Sequence, residues 1–112
     1  MINSFKYAFE GIRTALKERS FRIMCLVALS VVGLGVLLTI TLFEWLILIL
    51  TIVLVLSLEL INSQVERTLD IVCPEIDPRV KAIKDISAGA VLIASIGSVF
   101  IGVMIFYHHI AS

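Results

Sequence analysis

Residues 57–70 read SLELINSQVERTLD and follow directly on the apolar run WLILILTIVLVL at residues 45–56. On an α-helix turning about 100° per residue, Glu59, Asn62, Glu66 and Asp70 project at about 0°, 300°, 340° and 20°. They therefore form one acidic stripe, within an arc of about 80°, on a helix that begins as lipid-compatible sequence. A carboxylate at mid-membrane costs about 2.5–3.5 kcal/mol on insertion scales, and less near the interface. Alone, Glu59 would read as an acid reaching out to water and pairing with Arg22 or Lys84. Four polar groups in register ask for more than that. Clustered acids with basic residues nearby suit a divalent metal carrying phosphates, because Mg²⁺ takes one or two carboxylates and leaves the remaining positions to water and nucleotide.

Working outward, the chain is too apolar for a water-soluble domain. Its 112 residues are 60% hydrophobic, with a mean hydropathy of +1.10, and such a chain lacks the polar surface to cover a soluble fold. Nine Lys plus Arg balance nine Asp plus Glu, so the charge favours no nucleic-acid partner. No linker, repeat or low-complexity tract divides the sequence, which reads as one domain over residues 1–112. Three segments, about 23–43, 45–61 and 86–107, can cross a hydrocarbon core of about 30 Å at about 1.5 Å per residue. Only Phe43 and Glu44 separate the first two, which predicts a tight helical hairpin. Pro74 and Pro78 end the second helix and predict a polar loop before the third span. The first apolar stretch is longer than a signal-peptide core and lacks a small-x-small cleavage site, so the N-terminal region is expected in the mature protein.

All nine basic residues lie on one side. Lys6, Arg13, Lys17, Arg19 and Arg22 precede the first span, and Arg67, Arg79, Lys81 and Lys84 separate the second and third. The positive-inside rule makes that side cytoplasmic, with the N-terminus in and the C-terminus out. In SFKYAFEGIRTALKERSF, Phe5, Phe9, Ile12 and Leu16 recur at spacings of four, three and four, each with a charged residue one position behind. This predicts an amphipathic helix over residues 3–20 lying in the membrane surface, or simply anchoring the first span. Ala88, Ser95 and Gly102 repeat every seven residues on the third span, and Ala28 and Gly35 do so on the first, giving small-residue faces for close helix contact. Lys84 and Asp85 stand just before the third span, where they fit either a positive-inside lysine with a helix cap or a phosphate-binding pair. Cys25 and Cys73 predict no disulfide and no metal site. Trp45 reads as an interfacial anchor, and His108 and His109 as a wet tail at the outer face.

The residues also carry a family resemblance. ELINSQVERTLD resembles the E-x-x-N-[ST]-x-[IV]-E-x-x-[VL]-D signature of the small prokaryotic diacylglycerol kinase and undecaprenol kinase family. KAIKDISAGAVLIA is similar to that family's K-D-x-x-[AS]-[AG]-A-V-L block, and SFKYAFEGIRTALKERSFR to its opening. The motifs follow the family's order over nearly the whole chain. The resemblance implies an all-α membrane fold, three transmembrane helices plus an amphipathic surface helix, in a homotrimeric bundle with active sites at subunit boundaries. It implies a lipid kinase unrelated to soluble kinases, and the sequence indeed has no G-x-x-x-x-G-K-[ST], H-R-D or D-F-G motif.

By the same resemblance, Glu59 matches the general base that takes the proton of a lipid hydroxyl, and Glu18 and Glu66 match the carboxylates that hold Mg²⁺ at the ATP phosphates. Asn62 matches a residue supporting that site. Lys84 and Asp85 match the pair that grips ATP, and Tyr7, Glu75 and Asp77 match further nucleotide contacts. Arg22 matches a basic residue on the substrate side, equally readable as a headgroup anchor. Three positions depart from the family pattern. Gln64 replaces a usual Ala and points about 140° from Glu59, off the stripe. Ser20 and Met24 replace the Asn and His of many undecaprenol-type members and flank the substrate entrance. The opening and the AGAVL block look closer to undecaprenol kinases, with diacylglycerol as the alternative substrate. The rival from another class is a small carboxylate-dependent transporter in the bacterial inner membrane. A transporter would hold its acid near the midplane, whereas these acids crowd one end.

Overall fold

The computed structural model describes residues 2–111, which form α1 (Ile2–Ala15), α2 (Arg19–Leu37), α3 (Leu42–Val72) and α4 (Pro78–Ala111). The first and last residues of the expected domain lie outside the described residues. Helices α2, α3 and α4 are each long and apolar enough to cross a membrane. The 31 residues of α3 and 34 of α4 extend about 46 Å and 51 Å, against a hydrocarbon core of about 30 Å. Both helices therefore outrun the bilayer. In α3 the apolar turns come first, so its excess length is about the last third, which carries Asn62, Glu66 and Asp70, with Glu59 just inside the apolar part.

The boundaries differ from the expected ones for reasons of capping. The turn between α2 and α3 falls at residues 38–41, not at Phe43 and Glu44. Thr41 Oγ1 accepts from the Glu44 backbone N–H at 3.2 Å, and Glu44 Oε1 accepts from the Thr41 N–H at 2.9 Å. This reciprocal pair starts α3 at Leu42 and makes Phe43 and Glu44 its first turn. The preceding turn places Thr39 at a φ of 50°, a left-handed conformation unusual for a β-branched residue. At the other end of α3 the helix stops at Val72, just before Pro74. The connection is only residues 73–77, because α4 starts with Pro78 in its first position. Asp77 caps it, its Oδ1 accepting from the Arg79 N–H at 2.8 Å. Asp85 thus lies inside α4, two turns past the cap.

Helix α3 packs most extensively on α4 and next on α2. The buried core is small and sits toward the Thr41 end of α3: Ile40, Leu48 and Ile105, with Val31, Trp45, Ile52, Ile101 and Phe106 packed around them. Gly35 makes the α2–α3 approach possible, since a Cβ there would lie 2.9 Å from Trp45 Cη2. Trp45 is thus half-buried over Gly35. Elsewhere large apolar side chains face outward, as at Leu26, Leu50 and Phe100, each at least 64% exposed. Their environment is lipid or another protein surface. Helix α1 likewise leaves Phe5, Phe9 and Ile12 exposed.

Candidate active site

The half of α3 beyond the core is built differently. Glu59 and Asn62 are the buried polar residues among those described, at 6% and 8% exposure. They are one turn apart and face a groove of about 720 Å³ bounded by α2, α3 and α4. Glu66 and Asp70 continue the same wall, as helical periodicity requires. Glu18, Ser20, Ser63, Arg67 and Ser95 complete its polar lining, and Met24, Ile71, Ala88, Val91 and Leu92 make its apolar lining. The groove thus presents both acidic and apolar side chains, with the buried Glu59 among them.

Glu18 enters the groove because of its backbone. It occupies the N-cap of α2 with φ −82° and ψ 129°, and its side chain does not cap the helix. Instead the carboxylate reaches across to α3, accepting from the Ser63 hydroxyl and from Arg67 Nη2 at 2.6 Å. Two residues on, the Ser20 hydroxyl donates to Glu59 Oε1 at 2.7 Å. The first turn of α2 is thus tied to α3 at two levels, one at Glu59 and one a turn further along. Asn62 Oδ1 is buried between them without a hydrogen-bond partner. An acceptor buried in this way needs a partner, and a bound ligand, ion or water can supply it.

Comparison with known proteins places the chain. The model of the family described as prokaryotic diacylglycerol kinase matches residues 6–106. An undecaprenol kinase of Bacillus subtilis (strain 168) is 39% identical over 104 residues, covering 92% of this chain and 85% of the relative. A diacylglycerol kinase of Haemophilus influenzae is 35% identical over 109 residues, covering 95% and 92%, respectively. A diacylglycerol kinase of Helicobacter pylori (strain J99) is 38% identical over 96 residues, covering 85% and 75%. The chain belongs to the prokaryotic diacylglycerol kinase family. It is a bacterial membrane protein and an ATP-dependent lipid kinase.

Within this kinase, the residues expected at the site fall into two groups. The groove brings together Glu18, Ser20, Glu59, Asn62 and Glu66. Lys84 stands at its margin, ion-paired with Asp70 of the groove wall. Asp85 faces elsewhere and pairs with Lys81 at 2.6 Å. Tyr7 is 67% exposed on α1, and Arg22 is exposed on α2. Glu75 lies in the short connection, where Cys73 Sγ approaches its carboxylate at 3.6 Å. Asp77 is engaged in capping α4 and in an ion pair with Arg79 at 2.9 Å. The Arg79 side chain, and then its backbone N–H, hold the Asp77 carboxyl below its ordinary value. That capping contribution is present above the ordinary aspartate range and fades as acidification reprotonates the folded-state carboxylate.

Several contacts differ from the sequence expectations. Glu59 pairs with neither Arg22 nor Lys84. Its partner is Ser20, 39 residues away. Arg67 was visible only as a positive-inside residue, and Ser63 only as a motif position. Gln64, off the stripe, lines a separate apolar groove with Leu60, Val65 and Ile83. His109 is no wet tail either. Its Nε2 lies 2.7 Å from Glu44 Oε1, with both side chains less than 20% exposed.

Proposed function

We propose that this kinase transfers the γ-phosphoryl group of ATP to the hydroxyl of undecaprenol. The observation that carries the reading is the groove itself: a buried Glu59 in a groove lined by acidic and apolar side chains together. In such a groove a lipid alcohol rests its chain on the apolar side chains with the reacting oxygen beside the Glu59 carboxylate. In this reading Glu59 accepts the hydroxyl proton as the oxygen attacks the γ-phosphorus, and the bond to the β-phosphate oxygen breaks to release ADP. Ser20 and Arg22 stand on the lipid side.

Glu18 and Glu66 would hold Mg²⁺. Mg²⁺ takes one or two carboxylates and is completed by phosphate oxygens and water. The ion supplies charge neutralisation to the phosphates. Asn62 offers its unpaired Oδ1 to this assembly. Lys84, released from Asp70, turns its ammonium to the developing phosphoryl charge. Asp85, Tyr7, Glu75 and Asp77 are assigned to the nucleotide's outer contacts.

The wider architecture belongs to the same proposal. The nine basic residues support a cytoplasmic N-terminus and a cytoplasmic acidic end of the groove, in the inner membrane. Helix α1 lies in the membrane surface with Phe5, Phe9 and Ile12 toward lipid. The exposed apolar faces of α2 and α4 support a homotrimer in which a neighbour closes each groove. Diacylglycerol is the second reading, favoured by relatives at 35% and 38% identity that carry that kinase name. A competition assay decides, with the purified protein in detergent micelles holding undecaprenol and diacylglycerol at equal mole fraction and labelled ATP·Mg²⁺. Label should enter undecaprenyl phosphate preferentially. Preferential label in phosphatidic acid would replace the substrate assignment.

A further inference from the structure

Glu59 is buried, and a carboxylate at the end of a flexible side chain needs something to hold it. Among the described residues, one side chain donates a hydrogen bond to it, the Ser20 hydroxyl at 2.7 Å from Oε1. No lysine or arginine lies within ion-pair distance of Glu59. Ser20 occupies the first turn of α2, two residues from Glu18, which is itself anchored to Ser63 and Arg67 of α3. One short piece of α2 therefore touches α3 at two successive levels of the groove, at Glu59 and one turn further along.

We propose that Ser20 is a positioning residue for phosphoryl transfer, an inference that rests on the assignment of Glu59 as base. By donating its only hydroxyl proton to Oε1, Ser20 fixes the plane of the carboxylate. The second carboxylate oxygen, Oε2, is then the one presented to the lipid hydroxyl. A hydrogen bond to an ionised acceptor is about twice as strong as a neutral one, so a single donor suffices to select one orientation of Glu59. Ser20 keeps its own proton throughout. The substrate proton moves to Oε2, the alkoxide oxygen bonds to the γ-phosphorus, and ADP leaves with the electron pair of the broken P–O bond. Because Ser20 and Glu18 share one turn, the aim of the base is also fixed relative to the carboxylate assigned to the phosphate end. A misplacement of about 1 Å at such a centre is enough to cost on the order of a hundredfold in rate.

This role differs from that of a lipid contact, which would appear in the affinity for the alcohol. The test compares wild type with Ser20→Ala, Ser20→Thr and Ser20→Cys in one detergent system, measuring kcat, KM for ATP, KM for the lipid and thermal unfolding. Ser20→Ala should lower kcat on the order of ten- to a hundredfold with both KM values and the unfolding temperature nearly constant. Ser20→Thr, which keeps the hydroxyl, should recover most of the lost turnover. Ser20→Cys, similar in size with a weak donor, should resemble the alanine variant and stands in for it if that variant does not fold. Unchanged kcat in Ser20→Ala, a loss confined to KM for the lipid, or failure of threonine to rescue overturns the proposal. Wild type and Glu59→Gln run alongside separate the two readings: if Glu59→Gln retains turnover, the assignment of the base has failed, and with it the basis of this inference.

Discussion

The two ends of α3 each carry a glutamate in a polar cluster, and they are finished in opposite ways. At the Thr41 end, Glu44 receives the Thr41 N–H and approaches His109, and the surrounding Ile40, Leu48 and Ile105 form the buried core. Every polar group of that cluster has a structural partner close at hand, and the helices pack down to the contact between Gly35 and Trp45. At the other end, Glu59 receives one hydrogen bond, Asn62 Oδ1 receives none, and a groove opens where a core would be. Glu18 and Lys84 at this end are also paired within the chain, whereas Asn62 Oδ1 is the buried acceptor left without a partner among the described residues. An acceptor left short, in a groove, is available to a ligand. The same helix thus anchors the fold at one end and lines an open groove at the other.

Four substitutions probe that division. The largest effect belongs to Glu66→Ala, which removes an assigned Mg²⁺ carboxylate: turnover should fall on the order of a hundredfold or more, with ATP binding weakened about tenfold by calorimetry, while the unfolding temperature changes little. Asn62→Ala comes next and sharpens the contrast. Turnover should drop on the order of tenfold, yet thermal stability should hold or rise, because the removed acceptor was buried without a partner. Gly35→Ala tests the opposite end. Its new Cβ meets the Trp45 ring at 2.9 Å, so stability should fall by about 1–3 kcal/mol, with turnover per folded molecule unchanged. The smallest effect is expected from Glu44→Gln, which keeps a capping-box residue but loses the charged contact with His109, giving a slight fall in unfolding temperature and no change in turnover. Turnover lost at Gly35 or Glu44 without loss of stability would dissolve the comparison.

Much of the active end was legible because helical periodicity is a local rule. Glu59, Asn62 and Glu66 fall on one face by spacing alone, and α3 carries them onto one groove wall. What periodicity could not give was the partner across the helix pair. Ser20 meets Glu59 and Arg67 meets Glu18 over separations of 39 and 49 residues, and both depend on how α2 is seated on α3. The turn at residues 38–41 was missed for another reason. Hydropathy runs unbroken through Leu42 and Phe43, and the T-x-x-E capping box that starts α3 is invisible to it. Glu44 and His109 could have been paired from the sequence, since both were expected at the same outer end of the molecule. Reading the histidines as a solvated tail hid the contact. The nucleotide contacts assigned to Tyr7, Glu75 and Asp77 rest on motif alignment, and Asp77 is here occupied in capping α4.

The central claim is that the buried carboxylate of Glu59 takes the proton of the lipid alcohol. Its most direct test is Glu59→Gln, a nearly isosteric change that removes the base, assayed for transfer of label from ATP·Mg²⁺ to lipid and for ATP binding in the same preparation. Transfer should fall at least on the order of a hundredfold while ATP affinity stays within about twofold of wild type. A Glu59→Gln protein that phosphorylates lipid at the wild-type rate would contradict the account.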